Sequence, residues 1–443
     1  MNSNAAVQRF DPSLRVSDDA LRKAILSFVN YLEIREARLG GRTRGRKAHA
    51  AENFHLAIEA LLCNLIVAYA HSPKTLLNVP LSNNTLRGSP RYRPVVYGKH
   101  FRDLIALMED LHLIKMVTKG HNVREWRRRE ITTIRSTAKL LKLFPPITAI
   151  TRNAFARVDP PEAIVLKDQD GQLLDYCDNA NTRRWRGEMK IINARLREAS
   201  ISVDLSDNLL DENGFTIRPD LRTLRRLWNN ADWTQGGRLY DGFWQTMKRE
   251  ERLHVIRIDN GPIANVDFSQ FNLRLAYALA EITPPRGDLY SVTRKDTSGT
   301  NWARLREGRK KLTNAMFNRA TPLRQWPGKT SEERKELASC FPKGTTVRTA
   351  TSDIRTKHSG IAAYFESAHG LGFMRIESDI LVATLLSLNK RGITALPLHD
   401  AVLVAEPYAK IAKAMLQRES KRCIGTAIGA EIKTKNVPDT RLT

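Results

Sequence analysis

The stretch Ile263-Ala264-Asn265-Val266-Asp267-Phe268-Ser269-Gln270-Phe271-Asn272-Leu273-Arg274 decides how the rest of the chain is read. It predicts a short apolar strand that ends in a carboxylate and turns at once into a helix. A lone aspartate after a strand is ordinarily a helix cap. Two features downstream give this one another meaning. A basic helix carries Arg306, Arg309, Lys310 and Lys311, and a second strand-edge acid, Asp400, stands in Ala395-Leu396-Pro397-Leu398-His399-Asp400-Ala401-Val402-Leu403-Val404. Two aspartates at strand ends, with a cationic helix between them, suit metal-assisted nucleotidyl transfer. That chemistry needs oxygen ligands for two divalent ions roughly 3.5–4 Å apart, and fixed positive charge for a triphosphate.

The whole chain sets the outer bounds. At 443 residues it exceeds one ordinary core, so two or three domains are expected. The longest apolar segment, around Leu61 to Ala70, is broken by Asn64, and no membrane span is expected. The first residues lack an apolar core of the kind a secretory signal needs. Cys63, Cys177, Cys340 and Cys423 lie far apart without CxxC spacing, which argues against zinc and disulfides and suits a reducing cytoplasm. The net charge of +25 points to a polyanion, and nucleic acid is the expected partner because neutralised phosphates release counterions.

Working outward toward the N-terminus, a first helix is expected from Asp19, with Leu21, Ile25, Phe28, Val29 and Leu32 on one face. A long helix follows with Phe54, Ile58, Leu61, Leu62, Leu65 and Ile66 as a buried stripe, and Tyr97 to Leu111 repeats the pattern. Leu113 to Thr118 and Glu130 to Ile134 are strand-prone and flank a basic segment containing Arg124, Arg127, Arg128 and Arg129. Ser136 would cap a short helix. Helices followed by strand, basic turn and strand resemble a winged helix, whose wing reaches the sugar-phosphate backbone; a plain packing domain with a solvated basic hairpin is the alternative. Pro145-Pro146 and Pro160-Pro161 bracket an expected boundary. Asn181 to Ala199 is a basic amphipathic helix, and a further helix is expected over Pro219 to Trp228. The organisation is then 1–145, a helical, winged-helix nucleic-acid-binding domain; 146–230, a helical linker or thumb-like region; and 231–443, the catalytic unit.

The residues of that last unit carry a resemblance. Asp267-Phe268-Ser269-Gln270-Phe271-Asn272-Leu273-Arg274 resembles motif A of the family A DNA polymerases, D-Y-S-Q-x-E-L-R. Arg306-x3-Lys310 resembles motif B of the fingers helix, and His399-Asp400-Ala401 resembles motif C, H-D-E. Gly236-Gly237-Arg238 lies upstream, where that family has T-G-R. The resemblance covers roughly Trp233 to Glu406. It implies an α+β fold, a right-hand polymerase palm with reduced fingers. It implies that Asp267 and Asp400 bind two Mg²⁺ or Mn²⁺ ions, with the Phe268 carbonyl as a further ligand. Lys310 and Arg306 would meet the incoming triphosphate, and i, i+4 spacing puts them on one helix face. Gln270, Asn272 and Asn318 would contribute to the nucleotide site. Arg238 would touch primer–template DNA and His399 the primer terminus; a satisfied turn histidine is the other reading of His399.

Departures from the pattern bear on substrate. Asn272 stands where the DNA polymerases carry a Glu that helps exclude a 2′-hydroxyl, Ala401 replaces the second acid of motif C, and Asn314 and Asn318 replace aromatic positions. The single-subunit phage RNA polymerases also lack that Glu and that second acid. The expected activity is template-directed synthesis from nucleoside triphosphates, with RNA synthesis or priming on the same palm as an alternative. A plasmid, phage or mobile element would be the setting. Two rivals remain: a non-catalytic DNA-binding initiator on a degenerate palm, and a basic α/β nuclease using the same two acids. Glu377 and Asp379 read as acids at a helix start, with Glu377 a further candidate for the site. Trp233, Tyr240, Phe243 and Trp244 read as core packing over base stacking.

Overall fold

The structure is a computed structural model that describes residues 6–40, 44–120, 131–144, 154–204, 210–211, 214–291 and 301–435. Helix and strand are both well represented, in an α+β arrangement. The chain divides into two compact units, one comprising Met1–Ala163, Leu205–Arg218 and Thr246–Lys248, and the other Ile164–Asp204, Pro219–Gln245 and Arg249–Thr443.

In the first unit β1 (Val7–Arg9) and β2 (Leu14–Val16) lead into α1 (Asp19–Arg38) and α2 (Ala48–His71). Then come β3 (Leu76–Asn78), α3 (Asn83–Arg87), α4 (Lys99–Asp110), β4 (Ile114–Thr118), β5 (Thr133–Ser136), α5 (Ala138–Leu143) and β6 (Phe155–Arg157). Helix α1 begins where expected because the Asp18 carboxylate accepts from the Leu21 N–H at 2.7 Å. Helix α2 is long and apolar enough to cross a bilayer by composition. Here it is the core helix of its unit: Ile58, Leu61, Leu62 and Ile66 are fully buried, and α1 and α4 pack against it. Asn64, which interrupts its apolar run, is fully buried and serves the backbone. Its side chain accepts from Asp11 N–H at 2.9 Å and donates to the Asp11 carbonyl at 2.8 Å. Without it two buried main-chain groups between β1 and β2 would lose their partner.

Strands β1, β3, β5 and β4 form one sheet in that order, with β4 and β5 antiparallel. The basic segment with Arg124, Arg127, Arg128 and Arg129 lies outside the described residues. Thr137 caps α5, accepting from Leu140 N–H at 3.3 Å, whereas Ser136, the expected cap, is the last residue of β5.

The second unit opens with β7 (Ile164–Lys167), β8 (Leu173–Leu174), α6 (Ala180–Glu198), β9 (Ile201–Val203), β10 (Arg225–Asn229) and β11 (Asp232–Tyr240). The expected helix over Pro219 to Trp228 is not formed: its second half is β10. Leu224, Arg226 and Trp228 are buried at two-residue intervals, the period of a strand, and β10 pairs with β7 and β11. What hid this is Arg226, a charge on the buried face. Its guanidinium donates to the Gly237 carbonyl at 2.8 Å and pairs with Asp379 at 2.5 Å.

There follow α7 (Arg249–Val255), β12 (Ile256–Ile258), β13 (Gly261–Phe268), α8 (Phe271–Leu279), α9 (Trp302–Asn318), α10 (Ser331–Ala338) and α11 (Val347–Lys357). The unit closes with α12 (Gly370–Asn389), β14 (Ala395–Leu398), β15 (Ala401–Ala405), α13 (Ala409–Ile424) and β16 (Ala430–Lys433). Strand β13 is central. It pairs antiparallel with β15 along one edge, and with β12 and then β16 along the other. Helices α12 and α13 pack together, α12 also against β11 and α13 against β13. Trp185 of α6, Trp228 and Trp233 form a cluster with ring centroids 4.5–5.4 Å apart, and Trp244 is fully buried with its indole N–H on the Pro397 carbonyl at 2.7 Å. Trp185, Trp228 and Trp244 are core, and the half-buried Trp233 closes the cluster from outside.

Candidate active site

Strand β13 buries Ile263, Ala264, Val266 and Phe268 and leaves Asn265 and Asp267 partly open, so alternation delivers the Asp267 carboxylate to one face. Asp267 stands opposite Ala401 in the register with β15. Strands β14 and β15 are joined by a two-residue turn, His399-Asp400, with Leu398 facing Ala401. The second acid therefore sits one residue from the partner of the first, and Phe268 N–H donates to the Asp400 carbonyl at 3.4 Å. His399 at φ 55° and Gln270 at φ 58° are both left-handed without being glycine. Such residues cost about 1 kcal/mol each and persist where surrounding structure over-determines them. One precedes Asp400 and the other follows Asp267 by three positions.

Around the two acids lies a cleft of about 380 Å³. Of the residues singled out from sequence, Arg238, Asp267, Phe268, Gln270, Asn272, Arg306, Lys310, His399 and Asp400 all line it. Asn318 does not; its amide donates to the Asn314 carbonyl at 2.7 Å at the end of α9, and Asn314 is the lining residue instead. Arg124, Arg127, Arg128 and Arg129 are among the undescribed residues.

Each charge in the cleft has a distinct setting. The Glu377 carboxylate is buried and receives two 2.7 Å hydrogen bonds from Arg238, while its desolvation pushes its pKa up. The Asp267 carboxylate accepts from Lys433 at 3.2 Å. Asp400 has no cation at ion-pair distance among the described residues. Removal from water, and then the negative charges of Asp267 and Glu377, push its carboxyl up to about 7. Desolvation and the nearby Arg238 and Arg252 hold the His399 imidazole below its usual value.

On the facing helix α9, Arg306, Lys310 and Asn314 recur every fourth residue and share one face. Arg306 is held by Asp288 at 2.8 and 3.2 Å, and Gln270 donates to the same carboxylate at 2.7 Å. Lys310 makes no ion pair or hydrogen bond among the described residues, so its ammonium is available to an anion. Asn272 donates to the Asn314 side chain at 3.0 Å, joining α8 to α9 across the cleft.

The residues could hold divalent metal. Two neighbouring carboxylates, one of them without a counter-cation among the described residues, are a hard oxygen donor set, and Mg²⁺ characteristically takes one or two carboxylates plus water and substrate phosphate. Among the described residues no three His, Cys, Asp or Glu side chains cluster at ligand spacing, so remaining ligands would come from a main-chain carbonyl, water or substrate.

Sequence reading missed several members of the lining. Arg249 and Arg252 of α7 and Tyr290 had no signal, nor did Lys433 on the last short strand. Glu377, a further candidate for the site from sequence, does line the cleft; it was expected at a helix start, but α12 begins at Gly370, which places it in the second turn, where capping has no role. A signal existed: Phe373, Glu377, Leu381 and Thr384 make one buried stripe, and an acid on such a stripe requires a partner.

No family model matches the chain, and no curated protein matches it. Among solved structures the polymerase domain of Pol1 from M. smegmatis, in complex with DNA primer–template and dNTP, aligns at a TM-score of 0.27 and 11% identity. The alignment covers 95% of this chain and 66% of that one, so the chain spans slightly under two thirds of its length.

Proposed function

We propose that the chain is a template-directed nucleotidyltransferase of the family A polymerase type, with residues 231–443 as palm and reduced fingers. Residues 1–145 would be a winged-helix-like DNA-binding module, and 146–230 would carry a thumb-like helix. The supporting observation is the cleft in which Asp267 and Asp400 meet across the β13–β15 pair, with Lys310, unpaired among the described residues, on the opposite helix.

Bound at Asp267, Asp400 and the Phe268 carbonyl, two Mg²⁺ or Mn²⁺ ions would supply Lewis acidity and neutralise charge at the transferring phosphorus. The chain's own residues do the rest. Lys310 binds the triphosphate as a point charge, and Arg306, aimed by Asp288 and Gln270, orients it beside Lys310. Arg238 is fixed by Glu377 through two of its five N–H donors and presents the others to the primer–template. His399, in the turn just before Asp400, would stand beside the primer end. The primer 3′-hydroxyl gives its proton to water, its oxygen bonds to the α-phosphorus, and the bond from that phosphorus to the α–β bridging oxygen breaks, so that pyrophosphate leaves.

Primer extension with each nucleotide set, with Mg²⁺ or Mn²⁺, tests the reading. The Asp400→Asn protein should lose extension by at least about a thousandfold and keep its DNA affinity. Absence of extension by the unmodified protein under all conditions refutes it, and degradation of labelled DNA without nucleotide would assign a nuclease. The Asn272–Asn314 pair favours weak discrimination against ribonucleotides, because a neutral amide replaces a bulky acid. A strong preference for dATP over ATP would oppose that.

A further inference from the structure

Strand β16 is short and late in the chain, yet it borders β13 where Asp267 lies. Its register sets Lys433 opposite Asn265 and Glu431 opposite Asp267. Two like charges directly opposite each other are unfavourable. The strand offsets this in two ways: Glu431 accepts from the Ser269 hydroxyl at 2.8 Å, and Lys433, two residues along on the same face, donates to Asp267 at 3.2 Å.

The cleft therefore contains three acids with three different balances. Glu377 has Arg238, Asp267 has Lys433, and Asp400 has no ion-pair partner among the described residues. Both members of the Lys433–Asp267 pair are partly exposed, at 21% and 26%, so water and ions reach it. An ammonium is monovalent and here serves one carboxylate oxygen. A divalent ion carries twice the charge and can take oxygens from both aspartates.

We infer that Lys433 is a resident counter-cation for Asp267, which an incoming divalent ion displaces, so that this lysine weakens the site's affinity for divalent metal. The inference rests on the proposed function only for the identity of the arriving cation. With no ion bound, Lys433 limits repulsion between Asp267 and Asp400 and stabilises the cleft. With an ion bound, the same charge opposes it. One side chain thus has effects of opposite sign on the two states, which a merely structural lysine would not.

The test uses the full-length protein with Lys433→Met, which keeps most of the stem, and Lys433→Arg, which keeps the charge. Mn²⁺ binding is measured by calorimetry or by the EPR signal of free Mn²⁺, and melting temperature with and without saturating Mn²⁺. Lys433→Met should bind Mn²⁺ about tenfold more tightly, a gain between that of an exposed and a buried ion pair. It should melt lower than the unmodified protein without metal and recover with metal, while Lys433→Arg stays near the original in both. Unchanged or weaker Mn²⁺ binding in a folded Lys433→Met protein overturns the inference, and if the unmodified protein extends primers the polymerase reading stands without it. Tighter binding that Asp267→Asn abolishes, in a protein that never extends a primer, supports the inference and defeats the polymerase reading. Mn²⁺ binding indifferent to Asp267→Asn defeats both.

Discussion

Position in the fold makes chemically similar residues behave differently. Asp267, Glu377 and Asp400 share a cleft, and Asp400 is held up to about 7 by removal from water and by the charges of the other two acids, with no ion-paired cation among the described residues. A histidine outside the cleft shows the converse. His358 is buried, its Nε2–H donates to the Leu289 carbonyl at 2.9 Å, and Nδ1 therefore accepts from the Tyr277 hydroxyl at 2.9 Å. Burial pushes its pKa down to about 4. A folded-state value below the unfolded one, about 6.5, means that its stability contribution is complete above that pH. It is lost as pH falls toward 4, by up to about 3 kcal/mol. Denaturant titrations at pH 7.5 and 4.5 should show that loss, and His358→Gln should flatten it. An equal acid slope in both proteins would place the lability elsewhere.

The elements that carry the site owe their shape to a few backbone positions. Strand β11 contains Gly236 at φ 89° and Gly237 at φ 78°, opposite the register shifts at Leu227–Trp228 and Trp228–Asn229. This irregularity turns the strand so that Arg238 meets Glu377, and the Gly237 carbonyl accepts from both Arg226 and the Ser378 hydroxyl. A Cβ at Gly237 would meet Arg375 at 3.1 Å and the Trp228 indole at 3.2 Å. Gly237→Ala should therefore cost about 1–3 kcal/mol, from left-handed strain and crowding together. It should also weaken the Arg238 contact, so lowered melting temperature and lowered primer–template affinity are expected together. A full-stability variant would show that the bulge tolerates a side chain. Helix α9 needs no such device. Its cationic face follows from spacing alone, which is why Arg306 and Lys310 were readable while Arg226, a charge on the buried side of β10, was not.

Across the whole molecule the excess of 72 basic over 47 acidic residues is the broadest property. If it serves phosphate neutralisation, DNA affinity must fall steeply with salt, by about 10³ to 10⁵ between 50 and 200 mM for six to ten phosphate contacts. Fluorescence anisotropy on primed DNA measures this, and a flat salt dependence would exclude the DNA-binding role. The sequence by itself determined the apolar stripes of α1, α2 and α4, the strand–acid–helix order at Asp267, the i, i+4 cations of α9 and the strand-edge acid at Asp400. Each is a local pattern, and burial of one helix face or one strand face follows from side-chain period. Only the tertiary structure decided that Arg249, Arg252 and Lys433 join those aspartates, that Glu377 is held there by Arg238, that Asn318 stays out of the cleft, and that Pro219 to Trp228 ends in a strand. Those outcomes depend on which distant segments pair and where a buried charge finds its partner, and no spacing within a single segment encodes that.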